Sequence, residues 1–455
     1  MFRGDLASHH PGGRTLFVVL FTLVMGATHY YVWRRAVRDT TGPGRARRVG
    51  TALVVGLFVL LIAGMTLNLG VLAWPGYLWL ACAFYLALLF ALLEVPRALL
   101  HRAARRRSGT PAPAPAGNPG PVGNPGPASN PGLPSDTEPV SAPEPVETSG
   151  PAVASEVTTL DPAAGAAPVS GAPGDPGRRL FIARSLAAVS GVAAVGVVGY
   201  GATQALGDPV VKRVPVALGK LDPKLSGYRI AVVSDIHLGP LLGRAHTERI
   251  VRMINEQQVD LVAIVGDLVD GTVEELGEAA APLRDLVSTH GSFFVTGNHE
   301  YYSGVQPWLA ELDRLGVHPL RNERLRVERA GAAFDLAGVN DVTGRGFDDG
   351  PDFARALDGR DRSSPVVLLA HQPVQAHEAA RHGVDLQLSG HTHGGQMFPF
   401  HLAVGLQQPV RSGLATVDGT QVYTSNGVGF WGPPVRVGAP PDITVVELHH
   451  NFAGR

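Results

Sequence analysis

Long apolar runs without a single charge are the feature that most restricts the fold of this 455-residue chain. Residues 15–33, 51–69 and 71–93 contain no Lys, Arg, Asp or Glu. At a rise of about 1.5 Å per residue, each run is long enough as a helix to cross a hydrocarbon core of roughly 30 Å. We therefore predict three transmembrane helices in a membrane region that covers residues 1–107. The alternative is a buried pair of helices in a soluble protein.

A fourth apolar run, residues 185–206, follows Arg178, Arg179 and Arg184. It predicts a fourth transmembrane helix, or an uncleaved signal anchor, within residues 178–207. The arginine pair followed by Leu-Phe resembles a twin-arginine export signal, whereas any positively charged flank of a membrane span has a similar composition. The pattern leaves both interpretations open.

Arginines cluster at one end of the predicted spans. They follow the first and third runs and precede the fourth, whereas the turn between the second and third runs carries no charge. Because short basic loops stay in the cytoplasm, we predict a multi-pass protein of the cell membrane whose residues after 206 are extracytoplasmic. The single cysteine, Cys82, excludes an intramolecular disulfide. The formal net charge of -1 argues against nucleic-acid binding.

Residues 108–177 differ in composition from the runs on either side. They contain no aromatic residue and no Lys or Arg, and they are rich in Pro, Gly, Ala and Ser. The triplet Asn-Pro-Gly recurs at a period of six, without the glycine at every third position that collagen requires. Such a segment cannot build a hydrophobic core, so we predict a disordered linker.

Beyond residue 207, short apolar runs alternate with amphipathic segments. This alternation is typical of strands and helices in an α/β fold. Buried strands are predicted within YRIAVVSDIHLG, DLVAIVGDLVDG, SFFVTGNHEYY, PVVLLAHQP and VDLQLSGHTHGG, and a helix within GRAHTERIVRMINEQQ. We therefore predict one folded domain over residues 208–455.

Polar and metal-binding side chains follow each of these five predicted strands. They are Asp235, His237, Asp267, Asn298, His299, His371, His391 and His393. Sites of α/β sheets form at the carboxyl ends of strands, so we expect these side chains to meet. Alternate residues of an extended chain point the same way. Asp235 with His237, and His391 with His393, can therefore converge on a shared site.

This set of side chains fits a site for two divalent metal ions. A carboxylate able to bridge two cations, several imidazoles and an amide oxygen, with no cysteine, favour Mn, Fe or Zn over soft metals. Gly390, Gly394 and Gly395 allow tight turns with little bulk beside a bound ion. Two ions about 3.5 to 4 Å apart activate a bridging water and hold a phosphoryl group for in-line attack.

The residues also resemble a known family. The blocks DIH, GD, GNHE, HQP and GHTHGGQ occur in the order of the calcineurin-like metallophosphoesterase signature, over roughly residues 228–448. The ending HTHGGQ and the tail NGVGFWGPPVRVGAPPDITVVEL are similar to a bacterial membrane-associated branch, which includes phosphodiesterases that split UDP-diacylglucosamine. The resemblance implies an α/β fold, the metallophosphoesterase β-sandwich flanked by helices, here preceded by transmembrane helices.

The resemblance also implies a role for each residue. One metal is bound by Asp235, His237 and His393, and the other by Asn298, His371 and His391. Asp267 bridges the two ions. His299 contacts the phosphoryl group and protonates the leaving oxygen.

Several other residues near these blocks have roles that the sequence leaves open. We interpret Asp270 and Glu300 as turn or supporting carboxylates rather than ligands. Asn340 and Asp341 either reach the pocket from a neighbouring loop or form a plain turn. Five aromatic residues either line an acyl or base pocket or pack in the core: Trp308, Phe398, Phe400, Phe430 and Trp431.

Together these features predict a membrane-anchored, metal-dependent phosphoric ester hydrolase. It would cleave a phosphodiester or pyrophosphate bond by attack of a metal-bridging hydroxide. Its predicted partners are the lipid bilayer and a phosphate-ester substrate, with lipid-linked substrates included because a tethered domain reaches them at the bilayer surface. The alternative is a catalytically inactive, metal-stabilised scaffold coupled to the membrane region. A transporter is disfavoured because the spans carry no Asp, Glu, Lys or Arg to mark an ion path.

Overall fold

A computed structural model describes residues 11–67, 69–107 and 176–451 of the chain. The chain divides into two compact units, Met1–Arg97 with Leu180–Arg455, and Ala98–Arg179. The predicted linker, residues 108–177, lies outside the described residues except for its last two positions, which begin a helix. Its disorder therefore stays a prediction.

Five helices precede the first strand in the described chain. Their bounds are α1 Pro11–Trp33, α2 Arg45–Leu67, α3 Gly70–Leu92, α4 Glu94–Arg107 and α5 Pro176–Leu206. A π-helical turn, Arg34–Arg38, extends α1. Helix α3 begins at Gly70, close to the end of α2, and it includes Pro75.

Three of these helical segments are long and apolar enough to cross a membrane: Arg45–Leu67, Gly70–Leu92 and Arg179–Leu206. Large apolar side chains on them are exposed, such as Val71 at 80% and Val192 at 76%. A helix pair buried in a soluble protein would hide these side chains, so that alternative is not supported. The first predicted span is helical within α1, but its side chains before residue 22 lie outside the described part. Its crossing of the membrane stays a prediction.

The two ends of α5 have different surroundings. Near its start, Arg184 Nε donates to the carbonyl oxygen of Thr40 at 3.0 Å, close to the arginine-rich segment that follows α1. At its end, the carbonyl oxygen of Leu206 accepts from Arg249 Nη1 of the folded domain at 3.0 Å. The arginine-rich segment and the folded domain therefore lie at opposite ends of this helix.

Twelve strands form the described part of the folded domain. In chain order they are β1 Val210–Ala217, β2 Tyr228–Val233, β3 Leu261–Val265, β4 Ser292–Val295, β5 Val317–Pro319, β6 Glu323–Arg329, β7 Ala332–Gly338, β8 Val366–Leu369, β9 Leu386–Ser389, β10 Gly413–Val417, β11 Thr420–Thr424 and β12 Asp442–His449. One sheet has the order β1-β12-β2-β3-β4-β5 and the other β10-β11-β9-β8-β7-β6. Strands β2 to β5 run parallel, as do β7, β8, β9 and β11. The predicted two-sheet α/β architecture is confirmed.

Helices cover the outer faces of both sheets. Against the first sheet lie α6 Arg244–Asn255, α7 Val273–Ala280 and α9 Val305–Arg314, and against the second lie α10 Phe353–Leu357 and α11 Ala376–Arg381. Two short helices, α8 Asn298–Ser303 and α12 His401–Val404, lie in loops.

The strands are buried on both faces. In β2, Ile230 and Val232 pack into the core between the sheets, whereas Ala231 and Val233 pack against the outer helices. Successive side chains of a strand point to opposite faces, so both sets must be apolar. This double burial explains the continuous apolar runs in the sequence.

Candidate metal centre

The side chains predicted from the sequence lie in loops at the carboxyl ends of five strands. In the first sheet, Val233 of β2 pairs with Ile264 of β3, which pairs with Phe294 of β4, so these strands end at one level. The loops of the second sheet meet them there. The backbone N–H of His391, after β9, donates to Asp235 Oδ2, after β2, at 3.0 Å. Both sheets therefore contribute to one cluster.

One group in this cluster combines Asp235, His237 and His393, all buried. The Nε2 atoms of the two imidazoles are 3.0 Å apart, and His393 Nε2 lies 3.3 Å from Asp235 Oδ1. The other oxygen of Asp235 is occupied by the His391 N–H. Hydrogen bonding thus fixes one carboxylate oxygen and directs the second toward two imidazole nitrogens.

A second group combines Asp267, His371 and His391. Asp267 Oδ2 lies 3.1 Å from His371 Nε2 and 4.0 Å from Nε2 of His237, which belongs to the first group. The other oxygen of this carboxylate, Oδ1, accepts a hydrogen bond from the backbone N–H of His299 at 2.9 Å. The Asp267 carboxylate therefore lies between the two groups and directs one oxygen at a histidine of each.

Unpartnered buried atoms indicate that these side chains suit a cation. Among the described residues, Asp235 Oδ1, Asn298 Oδ1 and His371 Nε2 are buried without a hydrogen-bond partner. His371 Nδ1 lies 2.8 Å from the carbonyl oxygen of Val265, which can only accept, so Nδ1 carries the hydrogen. The carboxylates around the ring raise the pKa of His371, so it holds a second proton on Nε2 without a cation, and a bound cation would take the place of that proton. Carboxylate, amide and imidazole donors without thiolate fit Mn, Fe or Zn.

The backbone around the cluster has an uncommon conformation. Five residues have φ between 50° and 70°: Asp235, His237, Asp267, His391 and His393. Residues other than glycine rarely adopt this left-handed region, and such residues concentrate at functional sites. We predicted that these side chains converge because alternate residues of an extended strand point the same way. That explanation is wrong, because β2 and β9 end before these residues. His391 and His393 also contribute to different groups.

Comparison with known proteins identifies the family. The sequence profile of calcineurin-like phosphoesterases matches residues 228–395. An uncharacterized metallophosphoesterase of Aquifex aeolicus is 34% identical over 242 residues, which cover 52% of this chain and 91% of that protein. The chain belongs to the metallophosphoesterase family. This family uses divalent metal ions.

Two other relatives of this metallophosphoesterase match it over a smaller share of their own length than the Aquifex aeolicus protein does. An uncharacterized metallophosphoesterase of Helicobacter pylori is 43% identical over 248 residues, covering 54% of this chain and 65% of that protein. A Bos taurus transmembrane protein with a metallophosphoesterase domain is 43% identical over 257 residues, covering 53% and 57%. The chain thus matches less than two thirds of either protein.

Asp270 and Glu300 support the metallophosphoesterase cluster from its edge. Asp270 Oδ1 lies 3.2 Å from His237 Nδ1 and 2.5 Å from His299 Nδ1. Glu300 accepts three backbone N–H groups, including that of Asp267 at 3.0 Å. Asp270, His237 and His299 are also close enough to hold an ion. Because Asp270 contacts the Nδ1 edge of both rings, it is positioned to orient their Nε2 atoms toward the two groups.

Asn340 and Asp341 lie beside the second group and also form a turn. Asp341 Oδ1 accepts from the side chain of Gln372, the neighbour of His371, at 3.1 Å. The same oxygen accepts the backbone N–H of Thr343 at 2.8 Å and caps a short 3-10 helix. Both alternatives left open by the sequence therefore apply to Asp341.

Neighbouring charges set the protonation of two histidines in opposite directions. Burial opposes a charged ring at His299, yet Asp267 and Asp270 raise its pKa to about 9. Burial and the nearby His371 lower the pKa of His391 to about 3. Before the charge of any cation is counted, His299 is thus a proton donor at neutral pH and His391 a neutral imidazole.

Arg436 is a site residue that the sequence analysis missed. It is fully buried, and its Nη1 donates to the carbonyl oxygens of His393 at 3.0 Å and Asn426 at 2.8 Å. Its Nη2 lies 3.1 Å from His393 Nδ1. Arg436 therefore fixes both the backbone and the ring of His393. Arg436 is the single charged residue among residues 421–441, and this isolated charge is the feature of the sequence that could have identified it.

The five aromatic residues divide between core and surface. Trp308 is fully buried and Phe430 is 3% exposed, as core packing predicts. Phe398, Phe400 and Trp431 are 53%, 55% and 50% exposed. The Trp431 ring lies 6.2 Å from that of His299. Packing thus accounts for two of the five.

A cleft joins the candidate metal-binding groups to the apolar helices α2 and α3. It is lined by Met65 of α2, Tyr77 of α3, and His237, Asp270 and Phe430 of the domain, among others. Tyr77 is 7% exposed and lies beside the domain. The hairpin of α2 and α3 therefore forms one wall of the approach to the cluster.

Proposed function

We propose that this chain is a membrane-anchored phosphoesterase with two divalent metal ions, Mn, Fe or Zn, that hydrolyses a phosphodiester or pyrophosphate bond in a lipid-linked substrate. The observation that carries the proposal is Asp267 Oδ2, which faces a histidine nitrogen of each group. One ion would be held by Asp235, His237 and His393, the other by Asn298, His371 and His391, and both by Asp267. Such ions, when bound, activate water for attack on phosphorus and neutralise phosphoryl oxygens.

Within the proposed reaction, the side chains of the protein transfer a proton to the leaving group. Asp270 contacts His299 Nδ1, and His299 Nε2 lies 4.0 Å from Asp267 Oδ2 at the cluster. The two carboxylates retain a proton on this ring. As the bond between phosphorus and the leaving oxygen breaks, His299 Nε2 can supply that proton, which avoids release of an alkoxide.

The lipid-linked substrate is supported by the position of the cleft. Met65 and Tyr77 belong to helices long and apolar enough to cross a membrane, and they share the cleft with His237 and Asp270. A phosphate carried on a bilayer lipid would reach the cluster without leaving the membrane surface. A soluble ester gains nothing from this arrangement.

The extracytoplasmic position of the domain is supported by arginine placement. The arginine-rich segment and the domain lie at opposite ends of α5. Basic flanks remain in the cytoplasm, so the domain would lie on the other side of a multi-pass membrane protein.

The test is hydrolysis by the full chain in lipid nanodiscs. Bis(p-nitrophenyl) phosphate and p-nitrophenyl phosphate are assayed with Mn²⁺ and with EDTA, and metal content is measured by mass spectrometry. We expect Mn²⁺-dependent diester cleavage and two ions per chain. The Asp267→Asn variant should lose both ions, because one carboxylate serves both groups. If the protein is folded and loaded with metal but hydrolyses neither ester, the proposed phosphoesterase activity is refuted.

The substrate class is tested separately. A diphosphate diester with a long acyl or prenyl chain is compared with its short-chain analogue under the same conditions. A higher kcat/KM for the long-chain compound supports the lipid-linked assignment, and equal values contradict it. The scaffold alternative is not favoured, because the predicted carboxylate and imidazole ligands lie in the cluster and His299 lies beside it.

A further inference from the structure

An exposed apolar loop follows the last metal-cluster block of the sequence. The apolar loop is defined here as residues 397–406, sequence MFPFHLAVGL, which contains no Asp, Glu, Lys or Arg. Phe400 is 55%, Leu402 66% and Leu406 91% exposed. Soluble surfaces seldom carry a contiguous apolar patch of this kind without a partner.

The base of the apolar loop packs on two of the membrane-crossing helices. The Phe400 ring lies 6.0 Å from the ring of Phe84 in α3. Met397 joins an apolar cluster with Tyr85 of α3 and Val198 of α5. The loop is therefore fixed against the sides of these helices rather than against their ends.

The contact lies well inside the apolar length of both helices. Phe84 follows Gly70, the first residue of α3, by 14 residues, or about 21 Å along the axis. Val198 precedes Leu206, the last residue of α5, by 8 residues, or about 12 Å. A hydrocarbon core is roughly 30 Å thick, so helices that cross it place lipid, not water, at this level.

We propose that the apolar loop is inserted into the hydrocarbon core of the membrane beside α3 and α5, with lipid acyl chains as its partner. Exposed uncharged side chains on one segment, continuous with membrane-crossing helices, match the chemistry of that partner. The proposal concerns the loop alone and stands whether or not the chain hydrolyses phosphoesters.

Spin-label accessibility in the full chain tests the insertion. In a Cys82→Ser background, nitroxides are attached at Leu406→Cys and Leu402→Cys, with the protein in phosphatidylcholine nanodiscs. Val192→Cys, on the exposed face of α5, is the control in lipid, and Val287→Cys, 66% exposed on the folded domain, is the control in water. Collision with oxygen and with nickel-EDDA is measured at each position.

We expect both loop labels to resemble Val192→Cys, with high oxygen and low nickel accessibility. Nickel accessibility equal to that of Val287→Cys would overturn the proposal, as the loop would then face water. Low accessibility to both reagents would also overturn it, because a protein surface or a second copy would then cover the loop.

A second measurement avoids replacement of Cys82. A Leu406→Trp variant is compared with the unmodified chain in nanodiscs of brominated phosphatidylcholine. Additional quenching of the added fluorescence supports insertion, and its absence contradicts it.

Discussion

His299 lies against two carboxylates, so its role can be separated from metal binding by the choice of leaving group. Replacing His299 with Ala removes the proton donor and should slow cleavage of an alkyl ester by about 10²- to 10⁴-fold. A p-nitrophenyl ester, whose leaving group needs no proton, should be slowed much less. Steady-state kinetics on both esters, with metal content, measure the difference.

The matched control for this variant is His318→Ala, because His318 is 54% exposed in its side chain and lies on β5 away from the cluster. It should leave both rates unchanged. Equal slowing of the two esters by His299→Ala, or loss of bound metal, would contradict the proton-donor assignment.

Arg436 offers a second prediction for a single residue. Arg436→Met keeps a similar volume but leaves the buried carbonyl oxygens of Asn426 and Gly429 without their donor. Each unsatisfied group costs about 1 to 3 kcal/mol. For a domain of this size, about 1 kcal/mol corresponds to roughly 2 to 4 °C in Tm. We expect thermal unfolding of the domain to shift downward by several degrees or more, with weaker metal binding.

Arg324→Met is the comparison for Arg436→Met. Arg324 is only half-buried and donates to one carbonyl oxygen, that of Ala356, at 3.0 Å. A smaller Tm shift and unchanged metal content are expected there. Similar effects of the two variants would argue against a specific role for Arg436.

At the scale of elements, the loop after β9 depends on its close approach to the loop after β2. A Cβ atom at Gly390 would overlap Ser234 Oγ and Asp235 Oδ2. Gly390→Ala should therefore displace the Asp235 carboxylate and reduce bound metal by at least half. Gly243→Ala, at a position with open space around its Cβ, is the control. Full metal content in Gly390→Ala would show that the loops can separate without cost to the site.

The sequence predicted five strands of this domain, β2, β3, β4, β8 and β9, but not the other seven or the conformation of the loops. Runs such as those of β3 and β8 are apolar because both faces are buried, so pattern and structure agree. The left-handed residues Asp267 and His391 bond to side chains far away along the chain, Glu300 and Asp235, and no local pattern encodes such contacts. The residue types at the site were thus readable, but not the geometry that orients them.

For the whole molecule, the arginine distribution predicts which side of the membrane the folded domain occupies. Alkaline phosphatase fused after residue 455 should be active, and green fluorescent protein fused there should be dark, because both depend on compartment. Fusions after residue 107, in the arginine-rich segment, should give the opposite result. The reverse pattern at residue 455 would overturn the proposed orientation.

The packing of α2 and α3 against the folded domain could not be predicted from the sequence. The apolar length of α3 predicts a membrane span but says nothing of what its sides touch. Tyr77 reads as an interfacial aromatic residue, yet it lines the cleft beside His237. Contacts between segments so far apart along the chain depend on shape complementarity, which composition does not record.

The position of β12 has a consequence for synthesis. This strand lies between β1 and β2, and its Asp442 pairs with Val210 of β1, the strand that follows α5 directly. When β1 leaves the ribosome, its only neighbour in the described sheet has not yet been translated. Pairing between such distant segments is slow. The first sheet therefore closes late, and a nascent domain tethered by α5 carries an open sheet edge that needs protection until the final strand arrives.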